Sequence, residues 1–301
     1  MAHSAETIVL QGSYTRNKRR GPLGALWRFT RAKPLGAAGG LLLVILCVAA
    51  LAAPFVATHD PLANDARAQL AGPSGAHIFG TDQYGRDLFS RVVYGGRTSL
   101  GISVSAGLIS AILATAVGII SAYYGKVIDF TIQRIVDTMM SIPPLVFLIA
   151  VMVTFGVTIP NMILALAISI AIGMTRVIRS AAISTVVRDY VSAARSIGAP
   201  SWWIMWRHVL PNVFPTTLVL LTINFGSIII AEATLSFLGL GVRPPTPSWG
   251  AMLSGEGRVY MYVAWWLLAV PTIVLSIAVF GINMLGDGLR DWLDPRRHGI
   301  Q

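Results

Sequence analysis

The sequence predicts an all-α membrane protein that crosses the bilayer six times. Only 12% of its 301 residues are charged, 54% are hydrophobic, and the mean hydropathy is +0.68, whereas soluble domains carry about 25% charged residues. Apolar runs of about 20 residues, long enough to span a bilayer as a helix, recur along the chain. Lys and Arg residues collect in alternate polar segments between these runs. Together these observations indicate an integral membrane protein built from helices.

The first predicted span follows a basic segment. Residues 1–33 are polar and basic, and we interpret them as a flexible cytoplasmic tail. The apolar run at 35–57 could also belong to a cleaved signal peptide, but it is long and starts late, so we favour a retained anchor. Residues 34–97 then comprise this helix and an outer loop, which contains the string FGTDQYGRD at 79–87.

The second predicted span, residues 98–124, is apolar but rich in Gly, Ser and Ala. Small residues four positions apart let helices approach closely in lipid. We therefore expect a packed interior helix. The small-residue pairs are Gly101/Ser105, Ser103/Gly107 and Ala114/Gly118.

Four further spans are predicted at 130–156, 161–180, 213–240 and 263–285. The pair Pro143-Pro144 predicts a kink in the third span. Arg134 and Asp137 are three residues apart and could form a structural ion pair on one helix face. The five helices of residues 98–287 would make up a transmembrane domain, and residues 288–301 a cytoplasmic C-terminal tail.

The distribution of positive charge predicts the orientation. With the N-terminus in the cytoplasm, 17 of the 23 Lys and Arg residues lie in inner segments and 6 in outer ones, as the positive-inside rule expects. This bias explains the net charge of +10 without nucleic acid. Both termini are then cytoplasmic, and so is the polar segment between spans four and five. The single Cys47 lies in an apolar run, so no internal disulfide can form.

That polar segment, residues 189–212, is the most informative part of the chain and is called the 189–212 loop below. Its first half places one apolar stripe at helical spacing, and Gly198 and Pro200 indicate that one helix ends and another begins. Pro211 is expected to stop the second helix. A membrane-surface helix is the alternative, but it needs neither a central Gly nor a terminal Leu-Pro. The first stripe is Tyr190, Ala193, Ala194 and Ile197, and the second face is Trp202, Trp203, Trp206, Val209 and Leu210.

Catalytic and nucleotide-binding motifs are missing from the sequence. None of the three lysines stands in a Gly-Lys-Ser/Thr P-loop, and no His-Glu-x-x-His, Cys-x-x-Cys or Gly-x-Ser-x-Gly string occurs. We therefore expect no enzyme active site, no metal site and no cofactor in this chain. Any ATP would be hydrolysed on a partner.

Two further features have a functional and a structural interpretation. Glu232 is the one carboxylate in the middle of a predicted span, where a charge costs about 2.5–3.5 kcal/mol. It could line a translocation path or form a buried hydrogen bond to a nearby Ser or Thr. The outer loop 241–262 could be a simple turn cap. We slightly favour a docking face for a solute-binding protein, formed by Pro244, Pro245 and Trp249.

The 189–212 loop resembles the cytoplasmic coupling loop of ABC-importer permeases. Ala193, Ala194, Gly198, Leu210 and Pro211 match its Glu-Ala-Ala, Gly and Ile-x-Leu-Pro signature at the right spacing, while Ser192 replaces the Glu and His208 the Ile. Further strings around 80–91, 134–144 and 235–250 resemble the C-type permease subunit of dipeptide, oligopeptide and nickel importers. The resemblance covers about residues 78–294.

The resemblance implies the fold of a type I ABC importer permease in the bacterial plasma membrane. It implies a homologous second permease, two ATPase subunits that bind ATP and Mg, and an extracytoplasmic solute-binding protein, with lipid around the helices. It assigns the ATPase-coupling interface to Tyr190, Ala193, Ala194, Arg195, Gly198, Ala199, Trp202, Leu210 and Pro211.

The predicted function is import of short peptides driven by ATP. Nickel, glutathione or another small solute remains possible as cargo, because in this family the binding protein largely sets specificity. A self-sufficient transporter driven by protons, with Glu232 as the proton carrier, is an alternative that would need neither the ATPases nor the protruding loop. A membrane-anchored enzyme would lack a catalytic constellation.

Overall fold

Helices dominate the computed structural model, which describes residues 22–254, 259–260 and 262–293. The predicted all-α fold is confirmed, since the only β-type pairing among these residues is an isolated bridge between Thr81 and Asp87. The helices are α1 (Pro22–Ala32), α2 (Pro34–Leu51), α3 (Ala53–Val56), α4 (Leu88–Tyr124), α5 (Lys126–Met140), α6 (Pro144–Phe155), α7 (Ile159–Val186), α8 (Asp189–Ser196), α9 (Ser201–Ile204), α10 (Leu210–Phe237), α11 (Trp249–Leu253) and α12 (Trp266–Leu293), with a π-helical turn at Met205–Val209.

Among the described residues, five helical segments are long and apolar enough to cross a membrane: α2, α4, α7, the continuous stretch Ser201–Phe237 and α12. The third predicted span, 130–156, corresponds to α5 and α6, which are bent by 89° at a short break. The predicted kink at Pro143-Pro144 is thus a full interruption. Pro143 is extended (ψ 130°) and Pro144 starts α6, because Pro lacks an N–H and disfavours a helical residue before it.

The predicted tails differ from the structure where they are described. Residues 22–32 form the helix α1 instead of a flexible segment, and the end of α1 packs on the end of α12. The Lys33 Nζ atom lies 2.5 Å from Asp291 Oδ2, and the Phe29 and Trp292 rings meet edge to face. Likewise α12 continues to Leu293, into the predicted C-terminal tail. Residues 1–21 and 294–301 lie outside the described residues.

Helix α4 starts ten residues before the predicted second span. Asp87 caps it, because its side chain accepts a hydrogen bond from the Ser90 backbone N–H at 2.8 Å. Arg91 made this region look like a polar loop in the sequence. In the structure Arg91 is buried, and its Nε atom lies 3.5 Å from Asp82 Oδ2.

The centre of the bundle is α4, which packs between α7 and α10. A Cβ added at Gly118 would lie 2.9 Å from the Ile178 side chain, and one at Gly107 would lie 3.1 Å from Leu221. These small residues therefore permit close helix contact, as predicted. Gly101, in contrast, has nothing within 4 Å of the same position.

The first and last spans also meet through glycines. A Cβ at Gly39 of α2 would lie 2.4 Å from the Gly281 carbonyl oxygen of α12, and one at Gly36 would lie 2.9 Å from the Gly288 Cα. At these positions the backbones of α2 and α12 are so close that no side chain larger than that of glycine fits between them.

We expect Gly39→Ala to lower the thermal unfolding midpoint of the purified chain, because α2 and α12 would have to separate. Overpacking of this kind costs about 1–3 kcal/mol. The control is Gly173→Ala in α7, where nothing lies within 4 Å of the added Cβ. Equal midpoints for the two variants would contradict the proposed packing.

Candidate functional site

The 189–212 loop begins with the short helix α8, which ends in a Schellman motif. The Ala199 N–H donates to the Ala194 carbonyl oxygen at 3.1 Å, and the Gly198 N–H donates to that of Arg195 at 3.0 Å. Gly198 has φ +77°, a left-handed conformation that favours glycine. The predicted helix break at Gly198 is confirmed. Pro200 lies one position before the first helical residue of α9.

Helix α8 is anchored to the end of α4. Val191, Ala194 and Ile204 are buried together and pack against Tyr123, near the last residue of α4. The Arg195 guanidinium lies 4.6 Å from the centre of the Tyr123 ring, a cation–π distance. A displacement of α8 would therefore act directly on the central helix of the bundle.

The outer face of α8 differs from the predicted apolar stripe. Val191 and Ala194 face inward, so only one member of the predicted set is buried. Ile197 is 84% exposed, and Tyr190 and Ala193 are also exposed. The reason is that α8 has only two turns and its contact with Tyr123 selects a different side. The exposed residues form a small apolar surface.

The second half of the loop contains a π-helical turn that the sequence pattern did not reveal. The Leu210 N–H donates to the Met205 carbonyl oxygen, five residues back. Ile204 and Val209, also five apart, are both fully buried. Because this turn shifts the helical register, Trp206 is 70% exposed instead of sharing the buried face.

Trp202, Trp203 and Pro211 of this half differ in their surroundings. Trp202 is exposed like Trp206, while Trp203 packs its ring 5.0 Å from that of His208. Pro211 does not stop a helix, contrary to the prediction. It occupies the first turn of α10, where a missing N–H is tolerated.

Two ion pairs join α5 to α7. Arg179 Nε donates to Asp129 Oδ1 at 2.6 Å, and Arg176 pairs with Asp137. The predicted pair between Arg134 and Asp137 is wrong. Arg134 instead lies over the Phe130 ring, because folding brings the basic residues of α7 within reach of α5.

Glu232 lies inside the bundle near the C-terminal end of α10. It is fully buried, and its Oε1 atom accepts a hydrogen bond from Ser236 Oγ at 2.9 Å. A serine neighbour four residues away agrees with the buried hydrogen bond considered from the sequence. A role of Glu232 in a translocation path stays a prediction.

Trp249 is a core residue, so its predicted role in docking is wrong. It is only 2% exposed, its Nε1 donates to the Val92 carbonyl oxygen at 2.9 Å, and its backbone N–H donates to Ser99 Oγ at 3.1 Å. The aromatic ring therefore fixes α11 against α4. Pro244 and Pro245 are exposed, and their docking role stays a prediction.

The folded loop before α4 contains two buried carboxylates that sequence reasoning left without a role. Asp82 Oδ1 accepts from the backbone N–H groups of Tyr84 and Arg86, both at 2.9 Å, and its Oδ2 accepts from Arg86 Nε at 2.6 Å. These bonds, all within the FGTDQYGRD string, rigidify the outer loop.

Asp87 joins this loop to α4. Burial alone would raise the pKa of its carboxyl group, but hydrogen bonds from the Ser90 backbone, the Ser90 hydroxyl and His77, with the charge of His59 nearby, outweigh burial. The pKa of Asp87 is therefore held below its usual value. Asp87 is an anion at neutral pH.

Comparison with known proteins shows the family. A family model described as "Binding-protein-dependent transport system inner membrane component" matches residues 114–299, more than half of the chain. The chain belongs to this family. A second family model, described as the N-terminal TM domain of oligopeptide transport permease C, matches residues 21–73 of the permease.

Two relatives and one solved structure agree with this membership. The permease is 39% identical over 282 residues to the di/tripeptide transport system permease protein DppC of Pseudomonas aeruginosa (91% of this chain, 92% of the relative). It is 38% identical over 271 residues to the probable D,D-dipeptide transport system permease protein DdpC of Escherichia coli K12 (90% and 91%). An inward-facing structure of the MetNI methionine ABC transporter matches with a TM-score of 0.54, at 19% identity, over 68% of this chain and 96% of that one. The predicted importer-permease fold is confirmed.

Ala194→Leu should loosen α8 from α4, because the larger side chain does not fit beside Val191 and Tyr123. We expect faster amide hydrogen exchange throughout α8, corresponding to a loss of about 1–3 kcal/mol. Ala193→Leu is the matched control, since Ala193 is exposed. Identical exchange rates in the two variants would argue against this anchoring.

Proposed function

We propose that the permease is a subunit of an ATP-driven importer and forms half of a path for short peptides across the bacterial plasma membrane. The relatives named for di- and tripeptide transport support this cargo. The observation that carries the mechanism is the 189–212 loop, which is anchored to α4 and presents an apolar surface to a partner. Nickel or glutathione transport has no comparable support.

The exposed surface of the loop is suited to an ATPase subunit. Ala193, Ile197 and Trp206 are exposed and offer small and apolar contacts, next to the exposed Arg195 and Arg207. We place ATP and Mg on two such ATPase subunits and no catalysis on this chain. ATP-driven closure would then push on α8 from outside the bundle.

A movement of the loop can be transmitted through the helix that follows it. Helical structure is continuous over 37 residues from Ser201 to Phe237, a distance of about 55 Å at 1.5 Å per residue. Its far end lies beside α11, which Trp249 fixes to α4. A tilt started at the loop would thus reach the opposite end of the bundle.

A second, homologous permease would complete the path. Val104, Leu108 and Ile112 are exposed and lie four residues apart on one face of α4, so this central helix is not enclosed by its own chain. We infer that the second permease covers part of such surfaces and lipid the rest. A proton-driven mechanism is not favoured, because Glu232 has no exposed surface.

We place the 189–212 loop and both termini in the cytoplasm, and the 58–87 loop outside with the exposed Pro244 and Pro245. The solute-binding protein would deliver its cargo on that outer side. The excess of Lys and Arg in the inner segments supports this orientation.

Gly198→Trp tests the coupling role in the complete transporter. We expect normal membrane insertion and a large loss, at least about tenfold, of solute-stimulated ATP hydrolysis, since tenfold corresponds to only about 1.4 kcal/mol of lost contact energy. Gly198→Ala is the control, because it carries the same strain at φ +77° without the bulk. Full stimulation in Gly198→Trp would refute the docking assignment, and an equal loss in Gly198→Ala would assign the effect to strain.

Cysteine labelling tests the orientation. In a Cys47→Ser background, Ala76→Cys should react with an impermeant maleimide in intact spheroplasts. Val187→Cys, exposed next to the 189–212 loop, should react only in inside-out vesicles. The reverse pattern would invert the proposed topology.

A further inference from the structure

Three potential metal ligands meet where the outer loop joins α4. His77 Nδ1 lies 3.0 Å and His59 Nδ1 lies 3.7 Å from the same oxygen, Asp87 Oδ1. One ligand atom from each residue lies within 4.8 Å of the others. The two imidazole rings face each other, with centroids 4.8 Å apart and planes tilted by 34°.

The carboxylate of Asp87 divides its two oxygens between two tasks. Oδ2 accepts from the Ser90 N–H at 2.8 Å, the Ser90 hydroxyl at 2.7 Å and the Thr58 hydroxyl at 3.2 Å. Oδ1 is directed toward His59 and His77. Because Oδ2 caps α4, the position of the carboxylate is fixed and Oδ1 remains able to coordinate a cation.

His59 is held in place by residues that also bind the capping carboxylate of Asp87. The His59 backbone N–H donates to Ser90 Oγ at 3.0 Å, and the Thr58 hydroxyl lies 3.0 Å from His59 Nδ1. Preorganised ligands with oriented neighbours are typical of metal sites.

We propose that His59, His77 and Asp87 bind a divalent transition-metal cation, Zn²⁺. Two imidazoles and one carboxylate are ligands that Zn²⁺ prefers, and with bonds of about 2.0–2.1 Å in a tetrahedron they lie about 3.3 Å apart. The observed separations of 3.0 and 3.7 Å from Asp87 Oδ1 bracket this value. The three ligand atoms lie within 4.8 Å of one another, so the exposed His59 ring has to move inward to complete the site.

The fourth coordination position is open to water. The His59 side chain is 44% exposed and that of His77 is 17% exposed, whereas Asp87 is buried. The cation would take the place of the direct contact between His77 Nδ1 and Asp87 Oδ1. It would then crosslink two points of the outer loop to Asp87, the N-cap residue of α4, independently of the cargo that the permease carries.

The test is Zn²⁺ binding to the full chain, purified in detergent with a tag free of histidine. We expect one Zn²⁺ per chain by isothermal titration calorimetry, and visible Co²⁺ absorption bands of a tetrahedral site. His59→Gln should weaken binding at least about tenfold, the lower end of what even an outer-shell partner contributes. His208→Gln, in the 189–212 loop, is the control and should bind Zn²⁺ as the native chain does.

His77→Gln is a second variant, because glutamine can still donate a hydrogen bond to Asp87 and so preserve the fold. Its thermal midpoint without metal should match that of the native chain, while Zn²⁺ should no longer raise it. Absence of stoichiometric binding by the native chain at micromolar Zn²⁺ would overturn the proposal. Unchanged affinity in both His59→Gln and His77→Gln would do the same.

Discussion

Close approach of helix backbones is the constraint on which this bundle depends. Lipid chains are as apolar as leucine, so burial of apolar side chains contributes little to helix association within the bilayer. Small residues instead bring large areas into contact. Gly39 meets the backbone of α12, and Gly118 lets α7 lie against α4. Helices held by such contacts can move as stiff bodies, which suits the tilting that we propose for transport.

The 189–212 loop connects this bundle to its surroundings through local backbone geometry. The Schellman motif at Gly198 sets the angle between α8 and α9, and the π-turn at Met205–Val209 sets the rotation of everything after it. The apolar surface that remains, around Ile197 and Trp206, has a defined position relative to α4. The proposed coupling mechanism therefore needs no flexible hinge within the loop.

Local sequence signals predicted the parts of the structure that depend on neighbours along the chain. The apolar runs identified the membrane helices, and Gly198 identified the break after α8, because both follow from short-range rules. The start of α4 was missed because Arg91 looks solvated until Asp82 is placed beside it. The position of Trp249 was missed because its partners, Val92 and Ser99, lie on a distant helix.

The ion pairs and the cluster of His59, His77 and Asp87 also depend on distant contacts and could not be predicted from the sequence. Asp137 has Arg134 one turn away, but folding brings Arg176 of α7 into contact with it. His59, His77 and Asp87 are spread over the outer loop and meet only because that loop folds back on the start of α4. The periodicity of a sequence indicates where helices form, but it does not indicate which distant residues come into contact after folding.

The contact between α2 and α12 has a consequence for biosynthesis. Gly39 is synthesised well before its partner Gly281, so the glycine face of α2 stays uncovered while the intervening helices insert. During that interval lipid or an insertion chaperone has to shield a groove built for another backbone. The seam between α2 and α12 thus closes only after α12 has left the ribosome.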